Sequence, residues 1–542
     1  MNVAFDPWIP VVTASGKPEL ASLHAVLAEG EKYVDLAVRP HERVALMRLL
    51  ICVAHAALEG PKDYFEWCEV PRKLPEASEK YLKDWKDSFD LFHEEKPWLQ
   101  VKDLTGEKTS PVALLDFELA TGNNSTLFDH GGQLSCRNVE PARLALNLLT
   151  FLNFSSGGGA PIAQWQTTKT SQVGNPDAPC LSQSMAHCLL RGKSVAETIH
   201  LNLPTYEQVG ETYKAFKINK KKEFDYSEIR FGRPVWELFP ASPDYGQDRV
   251  MNASRTYLGR LVPISRWIRF IHNSDQMFCC NGFKYETYKE GFAAEPTAAV
   301  REVKSKDKKG VEVKERRVVK VDPAKALWRE LTALFVKRTA DGLGGPFAMQ
   351  NAPHDSEFDF HVCAITRDQA SMDIALESVF HITPAFRNHF PQYQTEVIGD
   401  AKVIGAEGYS RKLRWAIEDY RNAIDADWKS RVKRTQAKEQ NALRDRLAQK
   451  AFLAYWTKVE MNLHLLITHI EAVGSDDAVP TRDSWRKMLF TAACEAYAGA
   501  CGQETPRQLR AYAKGFQKLK AEKDEPESDT TETKEELNEP AS

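Results

Sequence analysis

Helical periodicity is the only regular pattern that the sequence carries after about residue 379, and this change of character strongly constrains the fold. Apolar residues recur at helical spacing over roughly 402–430, 435–472, 481–501 and 505–520, with breaks at glycine- and proline-containing turns. Four helices joined mostly by short connections pack as an antiparallel bundle. The sequence therefore predicts a four-helix bundle over residues 379–520.

Strand and helix signals alternate irregularly over residues 1–378. Pro40–Leu58 has the spacing of an amphipathic helix, and residues 299–320 have that of an exposed hairpin. A chain of 542 residues is long enough for two or three domains. We predict an α+β protein, with a large mixed N-terminal domain over residues 1–378 followed by the C-terminal bundle.

The acidic C-terminal tail hides a mildly basic body. Residues 521–542 contain nine acids and two lysines, a net charge of −7, whereas the whole chain has −3. The remaining residues therefore carry about +4 by subtraction (−3 minus −7). We expect the tail to be disordered, because it is charged and lacks aromatic residues. The basic body is compatible with a nucleic-acid partner but does not require one.

The sequence has no run of 18 apolar residues and no basic region at its start, so we expect neither a membrane span nor a signal peptide. Its ten cysteines are scattered and never form Cys-x-x-Cys, which indicates reduced, mostly buried thiols and a cytoplasmic location. The adjacent Cys279 and Cys280 would need distant partners to bind zinc. We therefore expect no metal and no other cofactor.

Motifs for catalysis are absent from the sequence. It contains no His-Glu-x-x-His, no Gly-x-Ser-x-Gly and no dinucleotide fingerprint. His464 and His469 lie five residues apart on one predicted helix, which does not place them on the same face. We expect no catalytic residues, although a nuclease or hydrolase with an unfamiliar site remains a second hypothesis.

Three consecutive glycines follow a predicted buried helix, Pro141–Asn153. Gly157, Gly158 and Gly159 lack side chains, so this backbone can adopt positive φ and approach another surface closely. Their N–H groups would then be free to face a phosphate or a base edge. The alternative is a flexible turn, and no Gly-Lys-Ser/Thr follows that would indicate a Walker loop.

Other segments have compositions suited to binding, each with a simpler alternative. The long loop Leu119–Cys136 contains a lone aromatic, Phe128, which either packs into the protein's own core or anchors a partner. Lys284 lies among aromatic residues on predicted β structure and either reaches solvent or binds a ligand. The hairpin at 299–320 has nine basic and four acidic residues, which is also typical of a solvated edge. Ile365–Ser371 is a predicted polar loop before another helical stretch.

Taken together and in order, these segments resemble the CasA-type large subunit of the type I-E CRISPR Cascade surveillance complex. The opening Phe5–Val11 is similar to the family's N-terminal signature, and the three glycines match its glycine loop. Asp368-Gln369-Ala370-Ser371 resembles the family's glutamine wedge, with aspartate where the family often has asparagine. The resemblance extends to about residue 520 and ends with the predicted bundle.

The resemblance implies a non-enzymatic subunit that recognises a short flanking motif, the PAM, on double-stranded target DNA, mainly from the minor groove. Its partners would be the other Cascade subunits, the guide RNA and a separate helicase–nuclease that it helps to recruit. The alternative is a scaffold subunit that does not read DNA. The residues implied are Gly157, Gly158, Gly159 and Lys284 for PAM binding; Asp368, Gln369 and Ala370 for a strand-separating wedge; Asn124 and Phe128 for a guide-RNA or assembly loop; and Lys433 and Arg434 for phosphate contacts on the bundle.

Overall fold

The chain forms two compact units, Met1–Arg387 and Asn388–Ser542. The predicted boundary after residue 378 falls inside a strand, Ser371–Ile382. The structure is a computed structural model. It describes residues 1–119, 139–171, 173–215, 231–285, 295–306, 311–322, 325–339, 342–353, 355–368, 371–399, 405–425 and 437–520.

The first unit begins with a small antiparallel sheet in the order β2-β1-β3. Its strands are β1 (Ile9–Thr13), β2 (Pro18–Ala21) and β3 (Tyr33–Leu36). Helix α1 (Leu23–Ala28) connects β2 to β3, and the Ser22 hydroxyl caps it by accepting the Ala25 N–H at 3.0 Å.

Helix α2 (Pro40–Leu58) runs through the middle of the first unit, and all of residues 41–55 are buried. Proline fits the first helical position because it has no N–H to satisfy and its φ is already helical. The helix ends where Glu59 adopts a left-handed φ of 48°. The predicted helix is confirmed, but its polar side does not face water: Arg43 is buried and pairs with the partly buried Asp35, and Arg48 is buried and pairs with the buried Glu295.

The first unit has further helices, namely α3 (Tyr64–Asp84), α4 (Pro141–Phe154), α5 (Val195–Leu201), α6 (Tyr206–Ala215), α7 (Gly246–Arg255), α8 (Tyr257–Leu261), α9 (Leu331–Leu334) and α10 (Ala348–Asn351). Of these, α3, α4, α5 and α8 pack against α2. A helix predicted from Asp322 through Arg338 is reduced to a short 3-10 turn, Leu327–Glu330, and α9. Helix α4 agrees with its prediction to within a residue at its end.

Two antiparallel sheets of the first unit carry the segments of interest. One has the order β5-β10-β9 and the other β14-β13-β8. The strands are β5 (Ser110–Pro111), β8 (His187–Arg191), β9 (Arg266–Phe270), β10 (Gln276–Asn281), β13 (Phe358–Asp368) and β14 (Ser371–Ile382). A third sheet has the order β4-β6-β7, with β4 (Leu104–Thr105), β6 (Gln164–Trp165) and β7 (Thr168–Lys169).

The predicted basic hairpin is confirmed as β11 (Val300–Lys306) and β12 (Glu312–Val318). Its acidic residues pair with several of its bases: Lys314 Nζ lies 2.8 Å from Glu302, and Lys304 Nζ lies 3.5 Å from Glu312. Arg301 pairs outside the hairpin with Glu330 at 2.9 Å. These pairs offset part of the positive charge and favour the solvated-edge interpretation.

The second unit is helical throughout its described residues, which confirms the α+β class with a helical C-terminal part. Helix α11 (Pro384–Val397) leads into it, followed by α12 (Ala406–Ile424), α13 (Ala437–Met461), α14 (Leu463–Ala472), α15 (Ala478–Ala500) and α16 (Pro506–Lys520). The second predicted helix, 435–472, is interrupted at Asn462. None of the helices described has the length and apolar character to cross a membrane.

Buried aromatic residues with polar ends fasten the helices of the second unit to one another. The Tyr455 hydroxyl donates to the Ala406 carbonyl at 2.8 Å. The Trp485 indole donates to the Val397 carbonyl at 3.1 Å. Tyrosine and tryptophan bury a large apolar area while each supplies one hydrogen bond, so these contacts fix helix positions as well as contributing to the core.

Candidate nucleic-acid interface

The glycine loop begins where α4 ends, and the loop backbone is held on a neighbouring segment. The Ala178 N–H donates to the Ser155 carbonyl at 2.9 Å. The Gly157 N–H donates to Asp177 Oδ1 at 2.7 Å. Gly158 and Asn175 exchange two backbone hydrogen bonds, of 2.8 and 3.1 Å. The loop is therefore a paired segment rather than a flexible turn, and the expectation of free N–H groups is wrong for Gly157 and Gly158.

Two of the glycines are required for different steric reasons. A Cβ at Gly157 would lie 2.8 Å from the Asn175 carbonyl oxygen, which is closer than van der Waals contact allows. A Cβ at Gly158 would meet nothing within 4 Å, but Gly158 has a φ of +123°, which side chains disfavour. Gly158 and Gly159 are exposed. The loop therefore offers bare backbone at the surface.

Asn175 joins the glycine loop to the segment that carries Lys284. Its backbone pairs with Gly158, while its side-chain amide donates to the carbonyl oxygens of Gly282 at 3.0 Å and Phe283 at 3.3 Å. Asn175 is itself buried. The first two predicted elements of the PAM site thus share one buried connector.

Lys284 projects from a backbone that buried aromatic side chains fix on both sides. The Phe283 ring packs against the Trp267 ring, with centroids 4.8 Å apart. The Tyr285 hydroxyl accepts the Ile264 N–H at 2.8 Å. Lys284 follows the end of β10 at Asn281 and is exposed between these two buried neighbours.

A buried arginine braces the other side of the glycine loop. Arg266 Nη2 donates to the Ser156 carbonyl at 2.6 Å, and Nη1 bonds to Asn281 Oδ1. Asn281 in turn donates from Nδ2 to the Val173 carbonyl at 2.9 Å. Burial lowers the pKa of Arg266 from its usual value. This guanidinium ties the glycine loop to β10 in the same way that Asn175 ties it to the following segment.

Asn175, Asp177 and Arg266 belong to the site but were not predicted from the sequence. Gly174-Asn175-Pro176 is a turn signal that indicates a fixed bend, but it does not indicate the partner. Gly282 is 107 residues away along the chain, so only the tertiary fold brings the two together.

The predicted polar loop Ile365–Ser371 and the helical stretch after it are wrong, because both belong to a β-hairpin. β13 continues to Asp368, and Asp368 pairs directly with Ser371, the first residue of β14. The pairing shifts register between Thr366 and Arg367, which is typical of a β-bulge. Gln369 and Ala370, the remaining wedge residues, lie outside the described residues, as do Asn124, Phe128, Lys433 and Arg434.

A second buried arginine supports the helix that precedes the glycines. Arg48 of α2 forms an ion pair with Glu295, and both side chains are almost fully buried. Arg48 Nε also donates to Asn153 Oδ1 and to the Leu261 carbonyl, each at 3.0 Å. A buried charge requires such partners, so this cluster fixes the end of α4 relative to α2 and α8.

Solved structures with the same fold place the chain in a class. It aligns with Cse1 of Thermobifida fusca with a TM-score of 0.69 and 19% identity, covering 96% of this chain and 98% of that one. Cse1 of Acidimicrobium ferrooxidans gives a TM-score of 0.69 and 18% identity, with coverages of 96% and 97%. A chain of a structure described as a CRISPR RNA-guided surveillance complex gives 0.69 and 17%, with coverages of 96% and 99%. The fold is that of these Cse1 structures.

Residues 2–496 match the family described as CRISPR-associated protein Cse1, and the chain belongs to that family. The resemblance drawn from the sequence is thereby confirmed. The CRISPR-associated protein CasA/Cse1 of Thermus thermophilus is 34% identical over 208 residues. That alignment spans 38% of this chain and 40% of the length of the relative.

Proposed function

We propose that this chain is the large, non-catalytic subunit of a CRISPR RNA-guided surveillance complex. Family membership supports this proposal, as does the likeness in fold to a chain of a structure described as such a complex. Its partners would be the other subunits and the guide RNA, in the cytoplasm. Base pairing to the guide would read the target, and this chain would read a short PAM on the flanking duplex.

The surface proposed for PAM reading consists of Gly157, Gly158, Gly159 and Lys284. The observation that carries the proposal is the single buried connector, Asn175, which holds the glycine backbone and the base of Lys284 in one arrangement. A backbone without side chains fits against base edges in the narrow minor groove, and an exposed lysine donates to the acceptors there. Minor-groove patterns are degenerate, which suits a reader that accepts several related motifs.

The hairpin β13–β14 would separate the strands after the PAM has been bound. Asp368, Gln369 and Ala370 lie at its end in the sequence, and the Asp368–Ser371 pair closes the two strands immediately before that end. Inserting such a tip would unstack a base step at a cost of a few kcal/mol, which pairing with the guide then offsets. Asn124 and Phe128 would contact guide RNA or a neighbouring subunit. Lys433 and Arg434 would hold DNA phosphates. The chain would also help to recruit the helicase–nuclease.

The test is duplex binding by the guide-loaded complex with and without this chain, at fixed salt, on targets that differ only in the flanking trinucleotide. We expect discrimination only with the chain present, and we expect Gly158→Asp to abolish it because a carboxylate would face the DNA. Gly16→Asp is the matched control, because Gly16 also has positive φ and open space around its Cβ position.

Each outcome separates the proposal from its alternatives. If discrimination persists without the chain, the chain is a scaffold subunit that does not read DNA. If Gly16→Asp causes the same loss as Gly158→Asp, the loss reflects backbone strain rather than DNA contact. Turnover of DNA by the purified chain with a divalent metal would contradict the non-catalytic assignment.

A further inference from the structure

One face of the sheet β14-β13-β8 brings together three side chains whose chemistry suits a metal ion. His361 and Cys363 lie two residues apart on β13 and therefore point to the same side. Glu377 of β14 lies directly opposite Cys363 in the register. The ligand atoms of the three side chains all lie within 4.8 Å of one another.

Two of these side chains are buried, and the third is partly accessible to solvent. His361 and Cys363 are buried, while the Glu377 side chain is 38% exposed. His361 Nε2 bonds to a Glu377 carboxylate oxygen, and its Nδ1 is buried without a hydrogen-bond partner among the described residues. By contrast, both ring nitrogens of the buried His187 are bonded, one to Thr297 Oγ1 at 2.8 Å and one to the Cys180 carbonyl at 2.9 Å. His361 therefore keeps one buried ring nitrogen without a hydrogen bond, unlike His187.

The charges that face this cluster permit a cation. Arg43 and Asp35 lie nearby, and the positive charge of Arg43 is offset by the Asp35 carboxylate, with Nη1 to Oδ1 at 2.5 Å. The Arg43 guanidinium also donates to the Leu36 carbonyl at 2.9 Å. The Glu377 carboxylate and a Cys363 thiolate would supply two negative charges to the metal.

We propose that His361, Cys363 and Glu377 form a zinc site. Imidazole nitrogen, thiolate sulfur and carboxylate oxygen are all zinc ligands, and the accessible side of Glu377 leaves room for a water as the fourth. Two ligands of one tetrahedral zinc lie about 3.3–3.8 Å apart, so the direct His361–Glu377 hydrogen bond opens when the metal enters. The thiol loses its proton to solvent as the Zn–S bond forms, and the net result is Zn²⁺ bound and H⁺ released.

A zinc ion here would join β13 to β14 five residues before β13 ends at Asp368. Metal binding to preformed ligands stabilises the folded state that positions them. The site would therefore stiffen the hairpin, and this assignment does not depend on what the hairpin tip does. It differs from the expectation, based on sequence spacing alone, that the chain binds no metal.

The experiment is equilibrium dialysis of the chelator-treated full chain against Zn²⁺, with metal quantified by mass spectrometry, and Co²⁺ substitution monitored by absorption. We expect one equivalent of zinc, and a sulfur-to-cobalt charge-transfer band that disappears in Cys363→Ser. Glu377→Gln should weaken zinc binding at least about ten-fold, since even outer-sphere changes cost that much. Glu377 is half-exposed, so this variant is compatible with the fold.

Two cysteine controls separate this site from other thiols. Cys68 is exposed and Cys188 is buried on β8, so Cys68→Ser and Cys188→Ser should retain the zinc and the cobalt band. The absence of stoichiometric zinc would overturn the proposal. So would binding that Glu377→Gln leaves unchanged, or a cobalt band that persists in Cys363→Ser and disappears in Cys68→Ser.

Discussion

The Asn175 side-chain amide donates a hydrogen bond to the Gly282 carbonyl oxygen at 3.0 Å, across 107 residues of sequence. The same residue pairs through its backbone with Gly158. A neutral buried hydrogen bond contributes about 1 kcal/mol, and a buried partner left unsatisfied costs about 1–3 kcal/mol. The Asn175 amide therefore helps to set the relative placement of the glycine loop and Lys284, together with the Arg266 bridge to Ser156 and Asn281.

Replacing Asn175 should uncouple the two parts of the proposed PAM surface. Asn175→Ala keeps the backbone pair with Gly158 but leaves the Gly282 and Phe283 carbonyls without that donor. We expect a loss of about 1–3 kcal/mol in unfolding free energy and a larger fractional loss of PAM discrimination than of PAM-independent binding. Urea unfolding and duplex titration measure the two effects.

Asn252 provides the control for this change, because its side chain also bridges backbone groups. It accepts from the Arg233 N–H at 2.8 Å and donates to the Arg233 carbonyl at 2.9 Å. Asn252→Ala should reduce stability by a similar amount and leave PAM discrimination intact. Equal loss of discrimination in both variants would mean that Asn175 acts only through general stability.

Gly157→Ala should strain the glycine loop, because the added methyl would lie 2.8 Å from the Asn175 carbonyl oxygen. Overpacking of this kind costs about 1–3 kcal/mol of unfolding free energy. Gly499 in helix α15 is the matched control, since nothing lies within 4 Å of its Cβ position. Alanine there should stabilise slightly, by less than the roughly 0.5–1 kcal/mol typical of the middle of a helix, because Gly499 lies next to the end of α15. Thermal unfolding of both variants tests this prediction. A Gly157→Ala variant as stable as the parent protein would contradict the steric argument.

The local sequence pattern was sufficient to predict those elements of the fold in which burial follows the sequence periodicity. Helix α4 and the hairpin β11–β12 follow from their own residues. Strand β14 was missed because Met372, Leu376 and Phe380 are four residues apart, a spacing that satisfies helical and strand periods alike. Pairing with β13, which is a tertiary interaction, decides between the two.

The candidate site was only partly accessible to sequence reasoning for a related reason. Gly157, Gly158 and Lys284 were identified through the family resemblance, but the groups that connect them were not. Arg266 and Asn175 act through backbone carbonyls about 110 residues away, which leave no side-chain signature in the sequence. On α2, Arg48 was not predicted to have a buried partner, because that partner, Glu295, is 247 residues away.

Lys284→Ala should weaken binding of preferred PAM duplexes by about 1–3 kcal/mol, as expected for the loss of a base-edge contact. Duplexes with a disfavoured PAM should lose less binding free energy, because the Lys284 donor does not make this base-edge contact with them. The exposed Lys17 serves as the control, since Lys17→Ala removes one positive charge elsewhere on the same unit. Titrations at fixed salt compare the two, and a uniform loss on every sequence would assign Lys284 to a phosphate instead.

His41 should make the protein less stable in mild acid. Burial, together with the nearby Arg39, lowers the pKa of His41 from 6.5 to about 3, so the folded state holds the neutral imidazole. Below pH 6.5 the unfolded chain binds a proton that the folded state does not. The contribution of His41 is therefore complete above pH 6.5 and is lost at about 1.4 kcal/mol per pH unit as pH falls towards 3.

His41→Leu should remove this contribution. Between pH 6 and 4 the slope of unfolding free energy against pH should then decrease by the equivalent of about one bound proton. The His41 ring packs against Phe117 and Phe154, with centroids 5.9 and 6.3 Å away, so an apolar replacement fits its surroundings. His272 is exposed, and His272→Leu should leave the slope as in the parent protein. Urea unfolding at several pH values gives the slopes, and identical slopes for parent and His41→Leu would refute the assignment.

Glu295→Gln should be among the most destabilising single changes in the first unit. It leaves the Arg48 guanidinium buried without a counter-charge, which costs about 3–5 kcal/mol in comparable buried pairs. Glu79→Gln removes the partner of Lys83 in an exposed pair and should be far less destabilising, because solvent screens that pair. Replacing both Arg48 and Glu295 with apolar residues should restore part of the loss, because no unpaired charge then remains. Chemical unfolding of the three variants measures their relative stabilities. If the double variant is less stable than Glu295→Gln, Arg48 stabilises the fold mainly through its hydrogen bonds to Asn153 and the Leu261 carbonyl.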